Sequence, residues 1–111
     1  YNTMNIAFED PALQELFETG KTKKNKFYSK LPIGVIKQFV HKVNIIKSAT
    51  RIEDLYKIKS LHYEKKGGNL AGQEAVYINI QYRLFFISYP DEDTLVVSNI
   101  VFEKISKHYE K

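Results

Sequence analysis

Apolar positions first recur between Met4 and Phe8, where a weak alternation predicts a short strand. Asp10 and Pro11 then announce a helix. An aspartate can accept a hydrogen bond from an unpaired N–H of the first turn, and proline at the first helical position gives up an N–H that had no partner there. Leu13, Leu16 and Phe17 follow at helical spacing, and Thr19-Gly20 closes the element because glycine tolerates the left-handed backbone that ends many helices. The stretch Lys21 to Lys26 reads as a polar connection. Val35, Ile36, Phe39, Val43 and Ile46 then repeat with a period of ~3.6 residues, which predicts a second, longer helix from near Tyr28 to about Ser48. Pro32 and Gly34 weaken its first turns and move its start toward Leu31 or Pro32. Its far side carries Lys37, Gln38, His41 and Lys42. Arg51 to Tyr56 either adds one helical turn or leads directly into a strand.

Beyond this point the period changes. Gln73 to Ile80 alternates and sets Val76, Ile78 and Ile80 on one face, while Arg83 to Tyr89 and Thr94 to Phe102 are rich in Phe, Val and Ile. These read as three strands of an antiparallel meander, joined tightly at Gln81-Tyr82 and by the proline and acidic residues of Pro90 to Asp93. Helices first and strands later imply an α+β architecture, with two N-terminal helices packed on one face of a curved antiparallel sheet. One domain over 4–111 is expected. Tyr1, Asn2 and Thr3 precede the only methionine and are given no role. No run approaches the ~20 apolar residues that cross a bilayer, and no basic and apolar leader opens the chain, so a soluble cytoplasmic protein without membrane contact is expected.

Composition adds constraints. The 111 residues include no cysteine, which excludes disulfides, thiolate metal sites and a cysteine nucleophile. His41, His62 and His108 lack the paired short spacings of zinc or two-metal centres, so no metal is expected. Gly67-Gly68 lacks the lysine and hydroxyl residues that complete a phosphate-cradling loop. The net charge is only +4, but it is unevenly placed. Lysines crowd 21–30, surround His62 as Lys57, Lys59, Lys65 and Lys66, and close the chain as Lys104, Lys107 and Lys111 beside His108. Such clusters either solvate a surface or attract a phosphate-bearing partner.

The segment Leu13-Gln14-Glu15-Leu16-Phe17-Glu18-Thr19-Gly20-Lys21-Thr22-Lys23 resembles the first helix and basic turn of HigB/RelE-type toxins of bacterial type II toxin–antitoxin systems. Ser60-Leu61-His62-Tyr63, Gly72, and Tyr77-Ile78-Asn79-Ile80-Gln81-Tyr82-Arg83-Leu84-Phe85-Phe86 are similar to the family's histidine loop, its glycine before the sheet, and its strand, turn, arginine and strand. The resemblance implies a RelE-like fold and a ribosome-dependent endonuclease that cuts mRNA without metal or cofactor, by attack of a ribose 2′-hydroxyl on the phosphodiester. That chemistry takes a base, cationic donors for the crowded phosphorane, and an acid for the departing oxygen.

Carried onto this sequence, the resemblance implies His62, Arg83, His108 and Tyr109 as catalytic residues, without deciding which is base and which acid. Lys59, Lys65, Lys66, Lys104 and Lys107 are expected to contact RNA phosphates. The implied partners are a HigA-like antitoxin, the ribosome and mRNA. Two other readings stay open: a ParE-like, non-catalytic inhibitor of DNA gyrase, and an RNA-binding module that cuts nothing. Tyr77, Phe85 and Phe86 are expected in the core rather than on a base-stacking surface.

Overall fold

The computed structural model describes residues 3–66, 72–93 and 96–107. Met4 is buried, and the first strand, β1, follows at Asn5–Phe8. Helix α1, Pro11–Thr19, starts and stops where its caps dictate. The Asp10 carboxylate accepts from the Ala12 N–H at 2.9 Å. Gly20, at φ 82°, returns its N–H to the Leu16 carbonyl, a left-handed closure that an L side chain would strain.

The expected long helix from Tyr28 is two helices: α2, Lys26–Ser29, and α3, Ile33–Ser48. Two local effects separate them. Asn25 caps α2 by accepting from the Tyr28 N–H at 3.0 Å, and Pro32 bars its predecessor from helical backbone. Helix α3 buries Val35, Phe39, Val43 and Ile46 as the stripe predicts. Lys42, expected on the solvent side, is instead only 8% exposed. It stands three residues after Phe39 and four before Ile46, inside the stripe, where its methylenes can lie along apolar surface. The ambiguous segment after Arg51 is helical, α4, Ile52–Lys57, and a 3-10 turn at Lys59–Leu61 follows it.

The sheet contains β1, β2 (Glu64–Lys65), β3 (Glu74–Tyr77), β4 (Tyr82–Pro90) and β5 (Val97–Lys107), in the order β1-β5-β4-β3-β2. It is mixed, not wholly antiparallel: β1 runs parallel to β5, with Asn5 beside Asn99 and Phe8 beside Phe102. A parallel neighbour needs a long crossover, and everything from α1 through β4 supplies it. Strand β5 extends past the expected end at Phe102, and Ile105, three residues on, returns to the buried face. Phe85 pairs with Lys104 and Phe86 with Phe102, so Glu103 is the extra residue of a bulge.

Ile80 was expected on the buried face of β3 but is 72% exposed. The strand has already ended at Tyr77, and the Asn79 side chain accepts from the Gln81 and Tyr82 N–H groups at 2.8 and 2.9 Å, which turns the chain early. Leu13, Leu16, Phe39 and Val43 from the helices share one core with Val76, Leu84, Phe86 and Phe102 from the sheet. Among the described residues, no helix is long and apolar enough to cross a membrane.

Candidate functional site

Side chains alternate along a strand, so the residues between the core positions point to the opposite face of the sheet. Val76, Leu84, Phe86 and Ile105 belong to the core. Tyr77, Arg83 and Ser106 therefore form one cross-strand row on the other face, and Ala75, Phe85 and Lys104 the row beside it.

His62 reaches this face from outside the sheet. It caps the 3-10 turn with φ 47° and ψ 49°, a left-handed backbone uncommon for any residue with a Cβ. Its exposed imidazole stacks on the Tyr77 ring, with centroids 4.1 Å apart and planes inclined by 26°. The Arg83 guanidinium carbon lies 3.4 Å from the same Tyr77 centroid. Two planar groups at those distances would overlap on one side of the ring, so they sandwich it. Arg83 is fixed further by its Nη1, which donates to the carbonyls of Asn79, Ile80 and Tyr82 at 3.0, 3.1 and 3.3 Å. This guanidinium staples the β3–β4 turn and, only 6% exposed, lies largely covered beneath the face.

The second row is built around Phe85. Lys66 Nζ lies 5.9 Å and Lys104 Nζ 5.3 Å from its ring centroid. Lys66 also pairs with Glu64 at 3.1 Å, and Gln73 donates to Glu103 at 2.9 Å along the same side. The face thus carries lysines over an aromatic ring, positive charge that suits a phosphate chain.

Of the residues singled out in the sequence, His62 and Arg83 meet at Tyr77, and Lys66 and Lys104 meet at Phe85. Lys65 and Lys107 do not join them. Lys65 is in register with Glu74 and Lys107 with Tyr82, and alternation turns both away from this face. Lys59 is exposed on the 3-10 turn. His108 and Tyr109 lie outside the described residues. Phe86 is core, as expected, but Tyr77 and Phe85 are not: both are partly exposed and form the floor of the open face. Their odd-numbered spacing opposite Val76, Leu84 and Phe86 was the available signal.

Behind the site sits a polar network that the sequence did not reveal. Glu74, only 4% exposed, accepts hydrogen bonds from the Tyr63 hydroxyl and from both the N–H and hydroxyl of Ser88. Burial, and then the adjoining Glu74, push the Tyr63 phenol well above its usual range. Among the described residues, no three His, Asp or Glu side chains converge to hold a metal ion.

No protein-family model matches the sequence, and no curated protein matches it. Solved structures do. The YoeB/ParE toxin from Agrobacterium tumefaciens superposes with a TM-score of 0.55 at 10% identity, covering 96% of this chain and 100% of that one. The chain has the YoeB/ParE toxin fold. The YoeB dimer from Staphylococcus aureus gives 0.51 at 18% identity over 96% of this chain and 99% of that one. In a YoeB-YefM complex from the same organism, a further neighbour with this fold gives 0.50 at 18% identity, covering 96% and 98%.

Proposed function

We propose that this chain is the toxin of a type II toxin–antitoxin pair and acts in the cytoplasm as a ribosome-dependent mRNA endonuclease of the HigB/RelE kind. The observation that carries the reading is the stack of His62 and Arg83 on Tyr77, beside Lys66 and Lys104 over Phe85, on one face of the sheet. In this reading the helices back the sheet and leave that face to the RNA.

The message supplies its own nucleophile. A base takes the proton of a ribose 2′-hydroxyl, the 2′-oxygen bonds to phosphorus, and the 5′-oxygen of the next nucleotide leaves with a proton from an acid. The products are a 2′,3′-cyclic phosphate and a free 5′-hydroxyl. His62 takes one of the two proton transfers, since an imidazole can both accept and donate a proton. His108 takes the complementary transfer, and Tyr109 stacks on a base or contacts phosphate. Arg83, oriented by its carbonyl contacts, stabilises the crowded phosphate, and Lys66 and Lys104 hold flanking phosphates. Lys59, Lys65 and Lys107 contribute at most long-range attraction. No metal enters the scheme. The likeness to a toxin found in complex with YefM supports a cognate antitoxin for this chain, HigA-like by the sequence resemblance.

The test is to induce the protein, map the 5′ ends of cellular messages, and repeat with His62→Ala and His108→Ala. Codon-phased cuts that vanish in the variants support the proposal. Growth arrest with intact messages and impaired DNA supercoiling overturns it in favour of a ParE-like gyrase inhibitor, and binding to RNA without any cut reduces the chain to a binding module.

A further inference from the structure

Glu74 poses a physical problem. A carboxylate taken out of water is expensive unless fully hydrogen-bonded, and the hydrogen bonds to this one come from neutral donors: the Tyr63 hydroxyl and the Ser88 N–H and hydroxyl. The arrangement does more than satisfy the acid. Glu74 and Tyr77 belong to the same short strand, β3, with side chains on opposite faces of the sheet. Glu74 holds Tyr63 on the core side, where Tyr63 packs near Phe86 at 6.3 Å between ring centroids. Tyr77 holds His62 on the open side. One strand therefore grips two consecutive residues, from both of its faces.

The two side chains part at a left-handed backbone, since His62 has φ 47°. For a residue with a Cβ that conformation costs on the order of 1 kcal/mol or more and persists only when its surroundings hold it. The stack on Tyr77 is one anchor; on the other side Tyr63 is held by its bond to Glu74 and by its ring contact with Tyr56, 4.5 Å between centroids.

We propose that Glu74, acting through Tyr63, is a positioning residue for His62: the buried carboxylate locks the 62–63 pair so that the imidazole lies on Tyr77. The consequence for RNA cleavage rests on the nuclease reading above, but the lock itself does not.

The experiment reads the imidazole directly. In NMR spectra of the purified protein, the Tyr77 ring current shifts the His62 ring protons upfield, and Tyr77→Leu gives their unstacked positions. In Tyr63→Phe and Glu74→Ala the His62 ring protons should move at least halfway toward those positions, with a smaller movement in Glu74→Gln, which keeps a carbonyl for the Tyr63 hydroxyl. The ring protons of His41, exposed on α3, should stay in place and report an intact fold. Tyr63→Phe retains the packed ring, so it decides the matter alone if Glu74→Ala does not fold. Unchanged His62 signals in folded Tyr63→Phe overturn the proposal. On ribosomes programmed with a defined message, the same variants should cleave roughly ten- to a hundredfold more slowly, the scale set by a catalytic group displaced by about 1 Å. Wild-type protein that cuts nothing removes the nuclease reading while the NMR comparison still judges the lock.

Discussion

Replacing Tyr77 by leucine removes the ring to which His62 and Arg83 both attach, while keeping an apolar side chain of similar reach. The stack with His62, at 4.1 Å between centroids, belongs to a class of contact worth about 0.5–1.5 kcal/mol beyond area burial. The Arg83 contact, at 3.4 Å with the arginine only 6% exposed, lies in the desolvated range of cation–π interactions, about 1–2 kcal/mol. Leucine recovers part of the van der Waals contact, so the net loss should be about 2 kcal/mol. For a domain of this size, that lowers the melting temperature by roughly 10 °C in thermal denaturation followed by circular dichroism. Adding His62→Ala closes a double-mutant cycle, with an expected coupling of about 1 kcal/mol between positions 62 and 77. Phe85→Leu serves as control. Its ring meets two lysines at longer range, 5.3 and 5.9 Å, and should lose no more than about 1 kcal/mol. A Tyr77→Leu protein melting within about 2 °C of wild type, or a coupling near zero, would refute the sandwich as the element that organises the site.

Three further outcomes are expected. The raised pKa of Tyr63 means that the folded state holds this proton more tightly than the unfolded chain, whose tyrosines titrate near 10.0. Its stabilising effect is present below that value and is lost as pH rises above it, so urea midpoints should fall above about pH 10 more steeply for wild type than for Tyr63→Phe. Asp10→Ala deprives α1 of its cap and should cost about 1 kcal/mol by urea denaturation, whereas Asp10→Asn should cost much less. Lys66→Gln combined with Lys104→Gln should flatten the dependence of log K on log salt for a single-stranded RNA oligonucleotide by about 1.4, near 0.7 for each phosphate contact released; Lys65→Gln should leave the slope unchanged.

What the sequence disclosed follows the range of the forces involved. Helix α1 was legible because Asp10, Pro11 and Gly20 each act within a turn of their own position, and the α3 stripe because its period is local. The division of α2 from α3 was half legible, through Pro32. The parallel partnership of β1 and β5 was not, since nothing in a five-residue alternation names a strand more than ninety positions away. Strand β2, Glu64–Lys65, is too short to carry a period. At the site, His62 and Arg83 were found through family resemblance rather than through any rule of composition. Tyr77 and Phe85 were misassigned because both faces of β3 and β4 are rich in apolar residues, and alternation separates two faces without saying which one is covered. Glu74 escaped notice for a simpler reason: acidic residues are rarely buried, and only the structure brings its three donors together.

The pairing of Asn5 with Asn99 sets a timetable for synthesis. Because β1 borders β5 across more than ninety positions, the sheet cannot close while the nascent chain is still being extended through β4, and closure waits for contacts of very long sequence separation. Lys104, on that same late strand, arrives in step with the closure. His62, Tyr77 and Arg83 all precede β5 in the chain, so only the Lys104 side of the open face waits for translation to pass that strand.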